Sequence, residues 1–189
     1  MLLSHCILNA NSKVEGLSGY AAIISEIVSM LMEKEIAIIQ LPCPEMTVYG
    51  IKRWGHVREQ FDTPFFREKC REIIKPIIYQ LIDYVKNGYK IIGIIGIDGS
   101  PSCGVSKTCS GDWGGELSAN INDAKEKLST AAFINKSGIF IEEITKLLNS
   151  NHLSMPIAAI DEIDVVSSIN NIKQLFVKIL MNDMKSGRG

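Results

Sequence analysis

The feature that most constrains the fold is an apolar run in the middle of the chain, KIIGIIGI at 90–97. The helix-stop signal Asn87-Gly88 precedes it, and a loop rich in Gly and Ser follows it. Beyond its first residue the run contains no polar side chain, so a strand formed by it would have to be buried on both faces. Strands of this kind lie at the centre of parallel sheets that are covered by helices. The run therefore predicts the central strand of an α/β domain.

Strand-like and helix-like segments alternate along the rest of the chain. The pattern predicts strands over 1–8, 35–41 and 155–160, and helices from about 18 onward, over about 65–86, about 136–149 and about 165–183. Pro76 predicts a kink or break inside the second helix, and residues 116–135 fit no single pattern. This alternation predicts a parallel sheet in a three-layer α/β domain of Rossmann-like or flavodoxin-like type.

Length and composition are those of one compact unit. The chain has 189 residues, of which 46% are hydrophobic and 22% are charged, and this is enough to build one sizeable core. We expect a single domain over 1–185. The segment that follows, SGRG at 186–189, has no apolar residue to pack, which indicates a flexible tail or a cloning scar.

The charge balance and the apolar patterning limit the partners. With 20 Lys and Arg residues against 21 Asp and Glu residues, the chain has no excess of positive charge that would attract nucleic acid or anionic lipid. No window reaches the roughly 18 apolar residues of a membrane span, and the N-terminus lacks the basic start and cleavage site of a secretory signal. We therefore expect a cytoplasmic protein that acts on a small molecule. The sequence does not indicate an oligomeric state.

Five cysteines carry most of the chemical information. An odd number in a chain without a secretory signal argues against a disulfide framework and leaves metal binding, catalysis or burial. Cys6 ends the first predicted strand, Cys43 lies just past the second, and Cys103 lies in the loop after the central one. Because ligands bind outside the carboxyl ends of parallel strands, we expect these three thiols to meet at one edge of the sheet.

Three converging thiolates are typical of an iron-sulfur cluster or of a zinc site, with one metal position left open. The spacing is too dispersed for a zinc ribbon, which uses paired CxxC motifs. The alternative is that they are buried free cysteines that act as small hydrophobic side chains. Cys70 falls inside a predicted amphipathic helix, which indicates packing. Cys109, in the loop after the central strand, is either a bystander or a reserve ligand or sulfur acceptor.

Polar residues beside these cysteines are candidates for catalysis. Glu45 lies two residues from Cys43, where a partly desolvated carboxyl group could carry a proton; the neighbouring residues favour this over the alternative, a solvated loop carboxylate. Ser102 could hydrogen-bond a substrate heteroatom or a cluster sulfide, or it could cap a turn. His5 precedes Cys6 in the predicted strand, and adjacent strand residues point to opposite faces, which favours packing over ligation.

The segment from Tyr49 to Phe66 combines polar and aromatic residues, among them Arg53, Trp54, His56 and Arg58. It could fold over the site as a lid and stack on a planar heterocycle. A plain surface loop is the alternative interpretation.

Three short motifs resemble those of the thiouracil desulfidase family: SPSCG at 100–104 after an apolar strand, CPE at 43–45, and Cys-Ile-Leu at 6–8. The resemblance implies a 4Fe-4S cluster bound by Cys6, Cys43 and Cys103, with Glu45 and Ser102 as the catalytic side chains. It also implies that the fourth iron is open to the sulfur of the substrate. Where that family usually has an Arg, aromatic, Asp, Gly run after the first cysteine, this chain has Lys-Val-Glu-Gly at 13–16. The chain therefore resembles a divergent branch, whose thiolated substrate the motifs do not specify.

The activity implied by the resemblance is a non-redox desulfidase that replaces C=S by C=O in a small thiolated compound, such as a thiopyrimidine, and releases sulfide. Two alternatives stay open. One is a non-catalytic metalloprotein that holds a cluster or zinc. The other is a nucleotide-binding α/β enzyme with inert cysteines, although Gly93, Gly96 and Gly99 do not form a GxGxxG motif and the chain has no P-loop.

Overall fold

The computed structural model describes residues 1–116 and 121–186, with side chains up to residue 175. The strands are β1 (Leu2–Leu3), β2 (Ile39–Gln40), β3 (Ile94–Asp98), β4 (Thr108–Ser110), β5 (Ala132–Ile134) and β6 (Ile157–Asp161). The helices are α1 (His5–Leu8), α2 (Ser25–Glu33), α3 (Pro44–Tyr49), α4 (Arg58–Phe61), α5 (Pro64–Lys86), α6 (Ile121–Ser129), α7 (Ile139–Ser150) and α8 (Val165–Ser186), and a 3₁₀ turn covers Ala10–Ser12. Residues 187–189 of the predicted tail lie outside the described residues.

The main sheet contains four parallel strands in the order β2-β1-β3-β6. β1 and β3 occupy the two inner positions, and β3 pairs with β6 from Ile94 opposite Ile157 to Asp98 opposite Asp161. The neighbour order is that of a flavodoxin-like sheet, in which the chain changes direction across the sheet between its first and third strands. The predicted parallel α/β sheet is confirmed, and the apolar run at 90–97 supplies an inner strand.

Side chains of the inner strands alternate between two hydrophobic cores, one on each face of the sheet. Leu2 and Ile94 belong to the core that contains the buried faces of α5 and α7. Leu3 and Ile95 belong to the core that contains buried residues of α2 and α8. All four side chains are at most 1% exposed. Helices therefore cover both faces, which confirms the three-layer arrangement.

The long helix α5 shows how the sequence fixes one of these layers. Thr63 caps its N-terminus by accepting a hydrogen bond from the amide of Phe66 at 3.2 Å, and Pro64 occupies the first helical position, where an amide is not needed. Its buried positions recur every three or four residues, at Phe66, Cys70, Ile74, Ile78 and Leu81. The packing role predicted for Cys70 is confirmed. Pro76 lies on the exposed side, and the helix continues past it to Lys86, so the proline does not break it.

Near the N-terminus the elements are shorter than the sequence predicts. The first strand ends at Leu3, because the amide of Ile7 donates to the carbonyl of Ser4 at 3.0 Å and closes a helical turn. The prediction that His5 and Cys6 lie in a strand, on opposite faces, is therefore wrong. The second strand is reduced to Ile39–Gln40, and α2 begins at Ser25 rather than near residue 18.

A small second sheet was not expected from the sequence. β4, within the predicted loop at 98–115, pairs with β5 in antiparallel register, and α6 and β5 lie in the segment that showed no clear pattern. All three residues of β5 are exposed. The strand therefore lacks the alternation of buried apolar and exposed polar residues from which half-buried strands are predicted. The predictions of α7, β6 and α8 are confirmed to within a few residues. Among the helices in the described ranges, none is long and apolar enough to cross a membrane.

Candidate active site

A cavity of about 580 Å³ lies where the loops after β1, β2, β3 and β6 come together. This edge includes the point between β1 and β3 at which the chain changes direction across the sheet, the usual ligand site of such folds. Cys6, Cys43, Glu45, Ser102 and Cys103 all line the cavity. Its volume is within the range of pockets that bind small ligands.

Cys6 lies in the short helix α1, directly after β1. Tyr20 secures this turn, because its hydroxyl group donates to the carbonyl oxygen of Cys6 at 2.9 Å. Burial raises the pKa of the Cys6 thiol to about 12, which the positive charge of Lys13 partly opposes. The thiol is therefore protonated at neutral pH when no metal is bound.

Cys43 is the N-terminal cap of α3. Its Sγ atom accepts a hydrogen bond from the amide of Met46 at 3.4 Å, and Pro44 occupies the first position of the helix. Burial raises the pKa of the Cys43 thiol, and the amide of Met46 opposes this effect. The CPE motif thus places the Cys43 thiol and the Glu45 carboxyl group at the start of the same helix, and both line the cavity.

Cys103 lies in a tight loop that is hydrogen-bonded on both sides. Its carbonyl oxygen accepts from the amide of Ile97 at 3.0 Å, and its own amide donates to Ser100 Oγ at 3.0 Å. At the start of α7, the amides of Phe140 and Ile141 donate to the carbonyl oxygen of Ser102, at 2.9 and 3.2 Å. The first turn of α7 therefore fixes the loop that carries Cys103.

Two glycines make this close approach possible. A Cβ atom on Gly96 would stand 2.5 Å from the carbonyl oxygen of Cys103, and one on Gly138 would stand 2.5 Å from the carbonyl group of Ser102. In both cases the atom met is a backbone atom, so the clash could not be relieved by moving a side chain. The peptide between Ser102 and Cys103 is therefore held between β3 and the start of α7.

The three thiols are electrostatic neighbours of one another. Burial raises the pKa of Cys103 well above its usual value, and negative charge on Cys6 or Cys43 would raise it further. The structure thus brings together the three cysteines that the sequence predicts at strand ends. Because metals bind thiolates, loading such a site would release protons. Among the side chains that the structure describes, in 1–116 and 121–175, no three His, Cys, Asp or Glu residues are grouped so that they could hold a metal ion.

Beside the thiols, a hydrogen-bonded chain joins Ser102, Glu45 and Arg53. Ser102 Oγ donates to Glu45 Oε1 at 2.6 Å and lies 3.5 Å from Cys103 Sγ. Arg53 Nε donates to the other oxygen, Glu45 Oε2, at 3.1 Å. The side chain of Arg53 is 3% exposed and that of Glu45 is 10% exposed. The carboxylate is therefore held in one orientation between a hydroxyl group and a guanidinium group.

Arg53 also binds two backbone carbonyls. It donates to Ser12 at 2.7 Å and to Gly50 at 3.2 Å, which ties the loop after Cys6 to the loop after α3. From the sequence, Arg53 lies in a segment that could form either a lid or a plain surface loop, and the ion pair with Glu45 was not predicted. The only sequence signal was the short separation of eight residues from Glu45.

The rest of the segment from Tyr49 to Phe66 packs mainly on itself. The ring of His56 stacks on Tyr49 and Phe61, with centroids 4.8 and 4.9 Å apart, and Phe61 stacks on Phe66 at 4.4 Å. Trp54 is 72% exposed. Arg58 pairs with Asp62 and Glu142 on the side of α7. The segment reaches the cavity through Arg53, Gly55, His56 and Val57.

Several other residues of the cavity wall bear on its use. Cys109, on β4, lines the cavity, and burial raises the pKa of its thiol. His5 Nδ1 donates to the carbonyl oxygen of Leu41 at 3.1 Å. Its Nε2 and the Nδ1 of His56 are buried and have no hydrogen-bond partner among the described residues. Both histidines line the cavity, where a bound group could provide the missing partners.

A second polar group in the wall is an ion pair between Lys13 and Glu162. Glu162 directly follows β6, and Lys13 lies in the loop after the 3₁₀ turn. Both residues line the cavity, together with apolar side chains that include Val14, Leu17 and Ile163. The cavity thus has two polar regions, one around Glu45 and one around Glu162, on a largely apolar surface.

Fold and cavity together define an α/β protein with a thiol-lined pocket at the carboxyl edge of a parallel sheet. The model of the family described as "Putative 2-thiouracil desulfurase" matches residues 15–118, more than half of the chain. The chain belongs to this family. The matched range contains Cys43, Glu45, Ser102 and Cys103, and it begins after Cys6.

One relative from a curated set extends this result. The uncharacterized protein MJ0003 of Methanocaldococcus jannaschii is 43% identical over 106 residues, which cover 56% of this chain and 67% of that protein. No solved structure matches the chain significantly. The family membership that the motifs suggested is confirmed, and the relative's name does not state an activity.

Proposed function

We propose that this protein is a 4Fe-4S-dependent desulfidase that converts C=S to C=O in a small thiolated compound such as a thiopyrimidine and releases sulfide. The observation that carries the proposal is the meeting of three cysteine thiols, one buried and two half-buried, with the pair of Glu45 and Ser102 in one cavity. The description of the family supports cleavage of a carbon-sulfur bond. The proposal adds the cofactor and the roles of the residues.

Cys6, Cys43 and Cys103 would hold the cluster. Three thiolates on four irons leave one iron without a protein ligand. The donor set fits, because soft thiolates are the ligands that such clusters prefer and each comes from a different loop around the cavity.

When bound, the cluster would supply Lewis-acid chemistry at its open iron, without net transfer of electrons. The overall reaction adds one water to the C=S carbon and releases hydrogen sulfide, so it needs no reductant. Glu45 Oε1 would accept a proton from the attacking water. The carboxylate already faces the cavity wall at which Ser102 and Cys103 lie.

Ser102 and Arg53 would keep Glu45 ready for this role. Ser102 can pass a proton along its 2.6 Å bond to Glu45, or turn its hydroxyl group toward a substrate heteroatom. Arg53 fixes the second carboxylate oxygen and brings positive charge next to it. The apolar remainder of the cavity suits a small uncharged ring and excludes water from competing hydrogen bonds.

The proposal is tested by anaerobic turnover in oxygen-18 water. A cluster-loaded sample should release sulfide from 2-thiouracil or a related thioamide without added reductant, and the new carbonyl group should carry the label. A strict need for electrons, or an unlabelled product, would contradict hydrolysis. Protein heated before the assay serves as the blank, because thioamides also hydrolyse slowly in solution.

A further inference from the structure

We propose that Lys13 and Glu162 form a binding subsite for the polar edge of the substrate, at which Glu162 accepts a ring N–H group and Lys13 donates to the adjacent carbonyl oxygen. The inference rests on the proposed function and adds to it the two side chains that would recognise the ring edge away from the sulfur.

The position of the pair is the first argument. Lys13 and Glu162 are separated by 149 residues in sequence and are brought together in the wall of the same cavity as the three thiols. Both charges act on the thiol of Cys6, so the pair lies close to the proposed cluster ligands. A small ring held with its sulfur toward the thiols would have its other edge within reach of this pair.

The unused hydrogen-bonding capacity of the pair is the second argument. The ammonium group of Lys13 contacts both oxygens of Glu162, and it makes no other hydrogen bond among the described residues. It lies 5.2 Å from the ring centre of Tyr20, which orients it without occupying a donor. An ammonium group has three donors and a carboxylate has about four acceptor sites, so both partners can bind a ligand without separating.

Two other carboxylates at this edge of the cavity accept hydrogen bonds from the protein's own backbone amides. Asp98 accepts from the amides of Val105 and Ser106, each at 2.9 Å. Asp161 accepts from Lys107 Nζ at 2.6 Å and from the amide of Ile163 at 3.1 Å. Of these three carboxylates, Glu162 is the one that accepts from no backbone amide of the described residues, and the side chain of Lys13 holds it instead.

Energetics give the third argument. The side chains of Lys13 and Glu162 are only 10% and 26% exposed, and an ion pair withdrawn from water contributes little to stability. A neighbouring donor and acceptor on an apolar wall match a ligand edge that offers an acceptor and a donor. A site of this kind discriminates strongly against ligands that lack one of the two groups, because its own polar atoms are then left unpaired.

Equilibrium binding of uracil, the product without sulfur, tests the subsite independently of turnover. Calorimetry would compare the parent protein with Glu162→Gln and Lys13→Met, using Glu72→Gln as a control because it weakens an exposed Lys–Glu pair on α5. We expect both cavity variants to bind uracil about 10- to 100-fold more weakly, as for loss of a charge-assisted hydrogen bond. The control should bind like the parent, and all variants should keep the parent melting temperature within a few degrees.

A second ligand makes the assignment specific. The parent should prefer uracil to 1,3-dimethyluracil, which has no ring N–H group, and Glu162→Gln, whose acceptor oxygen carries no charge, should show a smaller preference. Unchanged uracil binding in both variants, or no binding of uracil to the parent, would overturn the subsite. Weaker binding in the variants without any sulfide release would keep the subsite and reject the desulfidase. Sulfide release that is unaffected by either substitution would do the reverse.

Discussion

The side chain of Glu45 is 10% exposed, and both of its carboxylate oxygens have a partner. One accepts from Ser102 and the other from Arg53. Burying an ion pair costs desolvation energy, and apolar residues in its place are often as stable or more stable. The pair is therefore explained better by chemistry than by stability, in agreement with the role proposed for Glu45.

Glu45→Gln tests this role, because glutamine keeps the shape of the side chain but cannot accept a proton as carboxylate does. We expect kcat for sulfide release to fall by about 100-fold or more, with the iron content unchanged. Ser102→Ala should lower kcat to a smaller extent. Glu26→Gln, on the exposed side of α2, is the matched control. If Glu45→Gln turns over like the parent, another group carries the proton.

At the scale of elements, the site depends on the contact between the loop after β3 and the start of α7. The amides of α7 bind the carbonyl oxygen of Ser102, and Gly138 allows the approach. Because Cys103 follows Ser102 directly, a displacement of α7 would displace the thiol. Packing between two elements thus sets the position of a proposed cluster ligand.

Gly138→Ala should therefore affect both stability and cluster binding. Its Cβ atom would meet the carbonyl group of Ser102 at 2.5 Å, so the loop or the helix must shift. We expect a loss of about 1–3 kcal/mol in the free energy of unfolding, and less iron after anaerobic loading. Gly19→Ala is the control in the same cavity wall, since no heavy atom lies within 4 Å of its added Cβ. Equal iron content in the two variants would show that α7 does not position Cys103.

At the scale of elements, the sequence predicts the strands and helices that the spacing of apolar residues marks. The apolar runs before Cys43 and Cys103 place these thiols just after strands, and parallel strands bring their carboxyl ends to one edge. The helix at Cys6 could not be predicted, because Ile7 packs into the core and prolongs the apolar pattern of β1. β5 was not predicted, because its three residues are exposed and no buried face marks the strand in the sequence.

At the scale of the whole molecule, a charged network joins α5 to α7 on the outside of one core. Glu143 is 1% exposed and accepts hydrogen bonds from Arg67, Arg71 and Lys146. Burial alone would raise the pKa of its carboxyl group, but these three hydrogen bonds outweigh burial and lower the pKa to about 2. Folding therefore stabilises the charged carboxylate form of Glu143 relative to its protonated form.

This shift predicts the acid stability of the fold. A carboxyl group with a lowered folded pKa contributes stability above its unfolded pKa of about 4.5, and this contribution is lost as the pH falls toward about 2. We expect on the order of 2 kcal/mol from Glu143, discounted because Arg71 and Lys146 are partly exposed. Urea unfolding between pH 7 and pH 2 should show a smaller loss for Glu143→Gln than for the parent. Parallel curves would contradict the assignment.

Contacts distant in sequence set the limit of prediction for the whole site. Lys13 and Glu162 are 149 residues apart in the sequence, and neither lies in a motif that predicts contact with the other. Arg53 is only eight residues from Glu45, yet the turn between them is made at Gly50, where φ is +77°. The three thiols and the proposed catalytic pair of Glu45 and Ser102 could be suggested from the sequence motifs, whereas the ion pairs around them became apparent only in the fold.

The most direct test of the central claim is the metal content of anaerobically purified protein. We predict about four irons and four acid-labile sulfides per chain, with the brown absorbance of a cluster. Cys6→Ser, Cys43→Ser and Cys103→Ser should each lose or badly degrade it, whereas Cys70→Ser and Cys109→Ser should keep it. A folded, colourless parent protein without iron, or one that carries zinc, would contradict the account.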